Sequence, residues 1–160
     1  MIETTAPSPM SSPVERRITL RLLAYWEKMR GDRAMPTEDD INSAEIRDLW
    51  GSCFLVRVSD LDRRDYNYTY LGQEIMEAYR SGLASGDPAN MISPNARKLS
   101  TGYNKVIITG KPVLEEGEFR NLNNDVVKYR QCLLPLGKGN EVSAVFGGMR
   151  FKIFPGDPVQ

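Results

Sequence analysis

The sequence predicts a single α+β domain, a five-stranded antiparallel sheet with helices on one face and an extra helix at its N-terminal end. Three observations carry that prediction. Within Tyr66–Tyr79 the hydrophobic period changes at Gly72 from two to about 3.6, the signature of a strand turning into a helix. Three strand-like segments close the chain, joined by short connectors rich in Gly and Asn. A long amphipathic helical pattern precedes them all. With 160 residues, the chain can bury one ordinary core.

Residues 1 to 13 hold Pro7, Pro9 and Pro13 among hydroxyl side chains, which predicts a disordered tail. From Val14 to Arg30, Ile18, Leu22, Trp26 and Met29 recur at helical spacing, and Gly31 is a natural stop. This helix has two readings, packing on its own sheet or pairing with a second copy of the chain. Asn42 is suited to cap a short helix ending near Leu49, with Glu45 placed for a capping box and Ile41 and Ile46 for a staple. Cys53 to Val58 reads as a buried strand, and Asp60 to Asp65 as a charged turn. In the next strand Tyr66, Tyr68 and Tyr70 share one face, followed by a helix from Gln73 to Arg80. Ser81 to Pro88 is loop chemistry.

A second capped helix is expected from Ser93, with Pro94 in its first turn and Gly110 and Pro112 at its end. Gly102 inside it costs about 1 kcal/mol relative to alanine, which points to a close approach of helix to sheet, with a tolerated surface glycine as the alternative. Strands at Pro112–Phe119, Val126–Leu134 and Val142–Ile153 complete the sheet, with helices on one side.

Composition removes several functions. Lys plus Arg equals Asp plus Glu, 21 each, and no dense basic patch stands out, so no nucleic-acid partner is expected. With no histidine, imidazole-ligated zinc, Ser-His and Cys-His catalysis and histidine phosphotransfer are excluded. Cys53 and Cys132 read as small buried residues and not as a disulfide or metal pair. No stretch of about 18 apolar residues or cationic leader occurs, so no membrane partner and a cytoplasmic location are expected.

The combination of Leu22-Leu23-Ala24-Tyr25-Trp26-Glu27, Met35-Pro36, the strand Cys53–Val58 and the Tyr66-to-Gly72 turn resembles a PAS domain. It looks closest to small stand-alone bacterial PAS proteins, as do Leu133-Leu134-Pro135-Leu136 and Gly147-Gly148-Met149. The resemblance covers roughly residues 18 to 153. It implies a sheet order of 2-1-5-4-3, a helical extension over 14–50 and a PAS-like domain over 51–154. It also implies a regulatory role without catalysis and a pocket between sheet and helices. It names no ligand, because PAS domains bind haem, flavin, small acids or nothing. Histidine-ligated haem lacks its ligand here. A cysteinyl-flavin photosensor lacks its Asn-Cys-Arg-Phe-Leu-Gln run, and the yellow photosensors' loop cysteine is missing too. No catalytic output domain is expected after the last strand, so a signal would leave through a protein partner or a homodimer.

Pocket candidates are Tyr70 or Leu71, then Met76, Tyr79, Met91, Tyr103 and Ile107, with Val145, Met149 and Phe151 from the last strand. The same spacings also describe an ordinary core. Tyr129, Gln131 and Leu133 share one strand face, and Lys128, Arg130, Cys132 and Leu134 the other. Arg130 is a candidate clamp for a carboxylate or phosphate if it points into the pocket, against the plainer reading of a solvated arginine. Glu115, Glu116 and Glu118 read as a solvated or protective edge. The functional expectation is a small-molecule sensor, and the alternative a ligand-free interaction or dimerisation module. A cone-shaped enzyme of the ketosteroid isomerase kind would need a buried carboxylate near a tyrosine, which Asp65 and Asp87 in loops supply poorly.

Overall fold

The computed structural model describes residues 13–60, 65–81, 97–120 and 124–156. The expected tail, the loop with Met91, and the helix start at Ser93 and Pro94 therefore lie outside the described residues. Helix α1 runs Pro13–Arg30, and two short 3-10 turns at Glu38–Asp40 and Ser43–Ile46 lead into α2 at Arg47–Trp50. Strands β1 (Cys53–Asp60) and β2 (Asp65–Leu71) follow, then α3 (Gln73–Ser81) and α4 (Arg97–Thr109). The chain closes with β3 (Val113–Arg120), β4 (Val126–Lys138) and β5 (Glu141–Phe154). All pairings are antiparallel and the strand order is β2-β1-β5-β4-β3.

Each face of the sheet carries its own apolar cluster. Ile18, Leu22, Tyr25 and Trp26 of α1 pack with Ile46 and Leu49 on Cys53, Cys132, Leu134, Leu136 and Phe146. On the opposite face Ile75 of α3 and Tyr103 and Val106 of α4 pack on Phe54, Val56, Tyr66, Leu133, Val145 and Met149. Strand alternation sends Cys53 one way and Phe54 the other. The apolar stripe of α1 is thus spent on its own sheet. Gly31 takes φ 59° and ends the helix as expected.

Two adjacent glycines let both layers approach. Gly147 lies beside Phe54 in the sheet, and a methyl group there would overlap the Phe54 ring. At Gly148 it would overlap the Leu22 side chain, which descends from α1 between Cys53 and Cys132.

Several expectations shift. The capping box forms at Thr37 and Asp40 and not at Asn42 and Glu45. The Asp40 carboxylate accepts from the Thr37 N–H at 2.8 Å and from its hydroxyl at 3.1 Å. Asn42 does cap, accepting from the Ala44 N–H at 3.1 Å, while Glu45 reaches Lys28. Asp65 is the first residue of β2, paired with Asp60, and not a loop residue.

Strand β4 runs on through Pro135 to Lys138, where the sequence suggests an end at Leu134. Pro135 is tolerated because β3 stops opposite Leu133. Its carbonyl, turned away from β5, accepts from the Trp26 indole N–H at 2.8 Å.

The largest local departure is in β2. Leu55 pairs with Tyr70 and Val56 with Tyr68, leaving Thr69 as an extra residue. This bulge breaks the alternation, so Tyr66 and Tyr68 face α4 whereas Tyr70 turns to the α1 side.

Candidate functional site

The α4 face of the sheet holds the aromatic and polar groups that could handle a ligand. Tyr103 is fully buried, with its ring 5.2 Å from Tyr66 and 6.3 Å from Phe54 in edge-on geometry. The Tyr66 hydroxyl hydrogen-bonds Asn104, tying β2 to α4. Burial pushes the Tyr68 phenol up to about 12, against a hydrogen bond with Tyr103 that acts in the other direction. At neutral pH Tyr68 is therefore a neutral hydrogen-bonding group.

A polar strip continues this surface toward the β3 edge. Gln131 of β4 stands between Glu115 of β3 and Met149 of β5. It is completely buried, and its Nε2 donates to Glu115 Oε2 at 2.9 Å. Its Oε1 has no hydrogen-bond partner. Helix α4 approaches at Gly102, where a Cβ would stand 2.6 Å from Glu115 Oε2. The close helix-to-sheet contact expected at that glycine is therefore present. Next in line, burial and the Glu115 charge both raise the Tyr129 pKa.

The candidates from sequence divide between the two faces. Tyr103, Ile107 and Met149 come together on the α4 side, with Val145, Leu71 and Phe151 in or against the same cluster. Ile107 also touches the α1-side cluster. Met76 is half-buried and belongs to neither cluster, its place being taken by Ile75. The Tyr79 side chain and Met91 lie outside the described residues.

Tyr70 and Arg130 sit on the opposite face. Tyr70 stacks on Trp50 with centroids 4.2 Å apart and donates to the Trp50 carbonyl at 2.7 Å. Arg130 follows the same parity as Cys132 and pairs with Glu116 across the strands. It is directed away from the group that contains Tyr103, so the two cannot act on one ligand between the sheet and α4.

Sequence reasoning missed Gln131 and Glu115. The signal was present, since an amide at position 131 shares a strand face with Tyr129 and Leu133. Glu115 was harder to find, because its half-burial arises from α4 rather than from its neighbours in the chain. Glu115 and Tyr129 place a carboxylate near a tyrosine on this face, and Asp87 lies outside the described residues.

The α1 face offers little chemistry. Cys53 and Cys132 are free and buried, flanking Gly148 in one cross-strand row. Burial pushes both thiols up to about 12, with Cys132 adding to the effect on Cys53, so neither is a thiolate at neutral pH. Elsewhere, an open groove of about 380 Å³ is lined by Thr37, Glu38, Asp39, Gly137, Lys138, Glu141 and Ser143. It lies at the β4–β5 hairpin, remote from Tyr103.

An antiparallel sheet of this order, with α3 and α4 over one face and the N-terminal α1 over the other, has the architecture of a sensory-type module. The PAS domain family matches residues 14–150, most of the chain including α1, and the chain belongs to that family. Among solved structures it is similar to the Rhodobacter sphaeroides LOV protein. Identity is 8% and the TM-score 0.39, with 69% of this chain and 68% of that one covered. No curated protein matches the chain significantly. Among the described residues, no helix is long and apolar enough to cross a membrane.

Proposed function

We propose that this PAS domain is a sensory module that holds a small molecule between its sheet and α4 and signals through protein contacts. One observation carries the reading. The α4 face buries a complete side-chain amide, Gln131, with an acceptor atom left unpaired. Such an atom costs about 1–3 kcal/mol unless a bound group meets it, and here it belongs to a fully buried amide among the α4-side aromatics. The Glu115–Tyr129 neighbourhood alone does not make an enzyme of this chain, because PAS domains are typically sensory modules. In the test, native protein from cells is denatured and the released material examined by mass spectrometry. A retained small molecule is expected, and adding it back should raise Tm according to RT ln(1 + [L]/Kd). Protein that retains nothing and gains no stability from cell extract would sink the reading.

The ligand-free dimerisation module is the second reading, favoured by exposed Leu20 on the outer side of α1. Removing α1 is not a fair test, since that uncovers the sheet. Leu20→Asp leaves the inner stripe intact. A homodimer through this helix should fall to monomer in sizing, and an unchanged elution volume would count against it.

A further inference from the structure

Resting on the sensory reading above, we infer that the pocket selects a ligand with N–H donors, a small organic amine or amidine, read by Gln131 Oε1 and Glu115. The orientation of the Gln131 amide is fixed by its partner. Only Nε2 can donate to the Glu115 carboxylate 2.9 Å away, so Oε1 is the atom left without a hydrogen bond. The groups on offer are therefore acceptors: one amide oxygen in the interior and a carboxylate toward the rim, where Glu115 is half-exposed. A ligand carboxylate or phosphate would meet like charge at Glu115. An ammonium or amidinium group would satisfy both acceptors and balance the charge.

The nearest cation in the β3–β4 register, Arg130, stands on the opposite face and is engaged by Glu116. It therefore does not neutralise this site. Gly102 keeps α4 from displacing the Glu115 carboxylate, because any Cβ there would press on both of its oxygens, at 2.6 and 2.8 Å. Tyr129 closes the β3 side through its ring, which lies against Gly117.

Gln131→Met is close in shape and removes the unpaired acceptor. If Gln131 is kept for binding, this variant should melt about 2–4 °C higher than wild type without ligand. It should also retain at least tenfold less of the co-purifying compound. A structural Gln131 would instead make the variant melt lower. Benzamidine and benzoate, matched in shape and opposite in charge, serve as defined probes by thermal shift on wild type, Q131M and G102A. Benzamidine should protect wild type alone. Protection by benzoate, or a retained compound that is an acid or survives Q131M, would overturn this inference while leaving the sensory reading standing. A Q131M that melts no higher than wild type, in a protein that retains and binds nothing, would instead mean that a lone water satisfies Oε1, and both readings would fall.

Discussion

The two faces of the sheet are built from the same five strands, yet they differ in what they bury. On the α1 face the apolar stripe of the helix meets cysteines, leucines and Phe146, and the Trp26 indole donates to Pro135. Tyr70 is stacked on Trp50 and hydrogen-bonded to its carbonyl. On the α4 face the aromatics are packed as tightly, but Gln131 is buried with an acceptor unused. The first face is mostly apolar, and an unpaired buried atom there, Arg150 Nε, belongs to a side chain that also reaches Glu74. The second gives up stability at a specific atom, and that is where function is expected to concentrate.

The largest effect should come from removing Trp26. Trp26→Ala should cost about 3–5 kcal/mol through the cavity it leaves and the unpaired Pro135 carbonyl, read as a lower midpoint in urea. A loss below about 1 kcal/mol would mean that α1 does not hold the sheet.

Alkaline titration separates the faces next. Both thiols rise from 9.0 to about 12 on folding, so their contribution is intact below pH 9 and is lost as pH climbs toward 12. Each such group should remove about 1.4 kcal/mol per pH unit within that window. The Tyr68 phenol, raised from 10.0 to about 12, joins only above pH 10. A Cys53→Ala, Cys132→Ala variant should flatten the stability curve from pH 9 upward, and Tyr68→Phe only beyond pH 10. Identical curves for the two variants would contradict the difference in onset.

A finer comparison uses the glycine pair. Gly147→Ala drives a methyl into a rigid Phe54 ring, and Gly148→Ala into the flexible end of Leu22. Both should destabilise by about 1–3 kcal/mol, with Gly147→Ala the worse. Leu22→Ala should recover part of the Gly148→Ala loss by double-mutant cycle, and additive losses would dismiss the contact. The smallest effect belongs to Glu116→Gln. Its ion pair with Arg130 is partly exposed and should be worth about 0–1 kcal/mol, fading with added salt.

Much of the architecture was legible because it rests on local periodicity. The stripe of α1, the switch at Gly72, the stops at Gly31 and Gly110 and the closing meander all follow from spacings within one segment. The candidate site was legible only in part. Tyr103, Ile107 and Met149 fall on the same face because helix and strand periods hold over those residues. Tyr70 does not, since a bulge is counted against the partner strand and leaves no mark in β2 alone. Arg130 drew attention by its charge, while its strand parity already placed it with Cys132.

By itself, then, the sequence determined the order and type of the elements and which residues in each are apolar. Backbone sterics and side-chain burial express those within a few residues. Tertiary structure decided that α1 covers one face, that β4 passes through Pro135, that Thr69 reverses Tyr70, and that Gln131 is enclosed with one acceptor unmet. Each of these depends on which distant strand or helix lies alongside, and hydrogen bonds and excluded volume between remote segments set that only once the chain has folded.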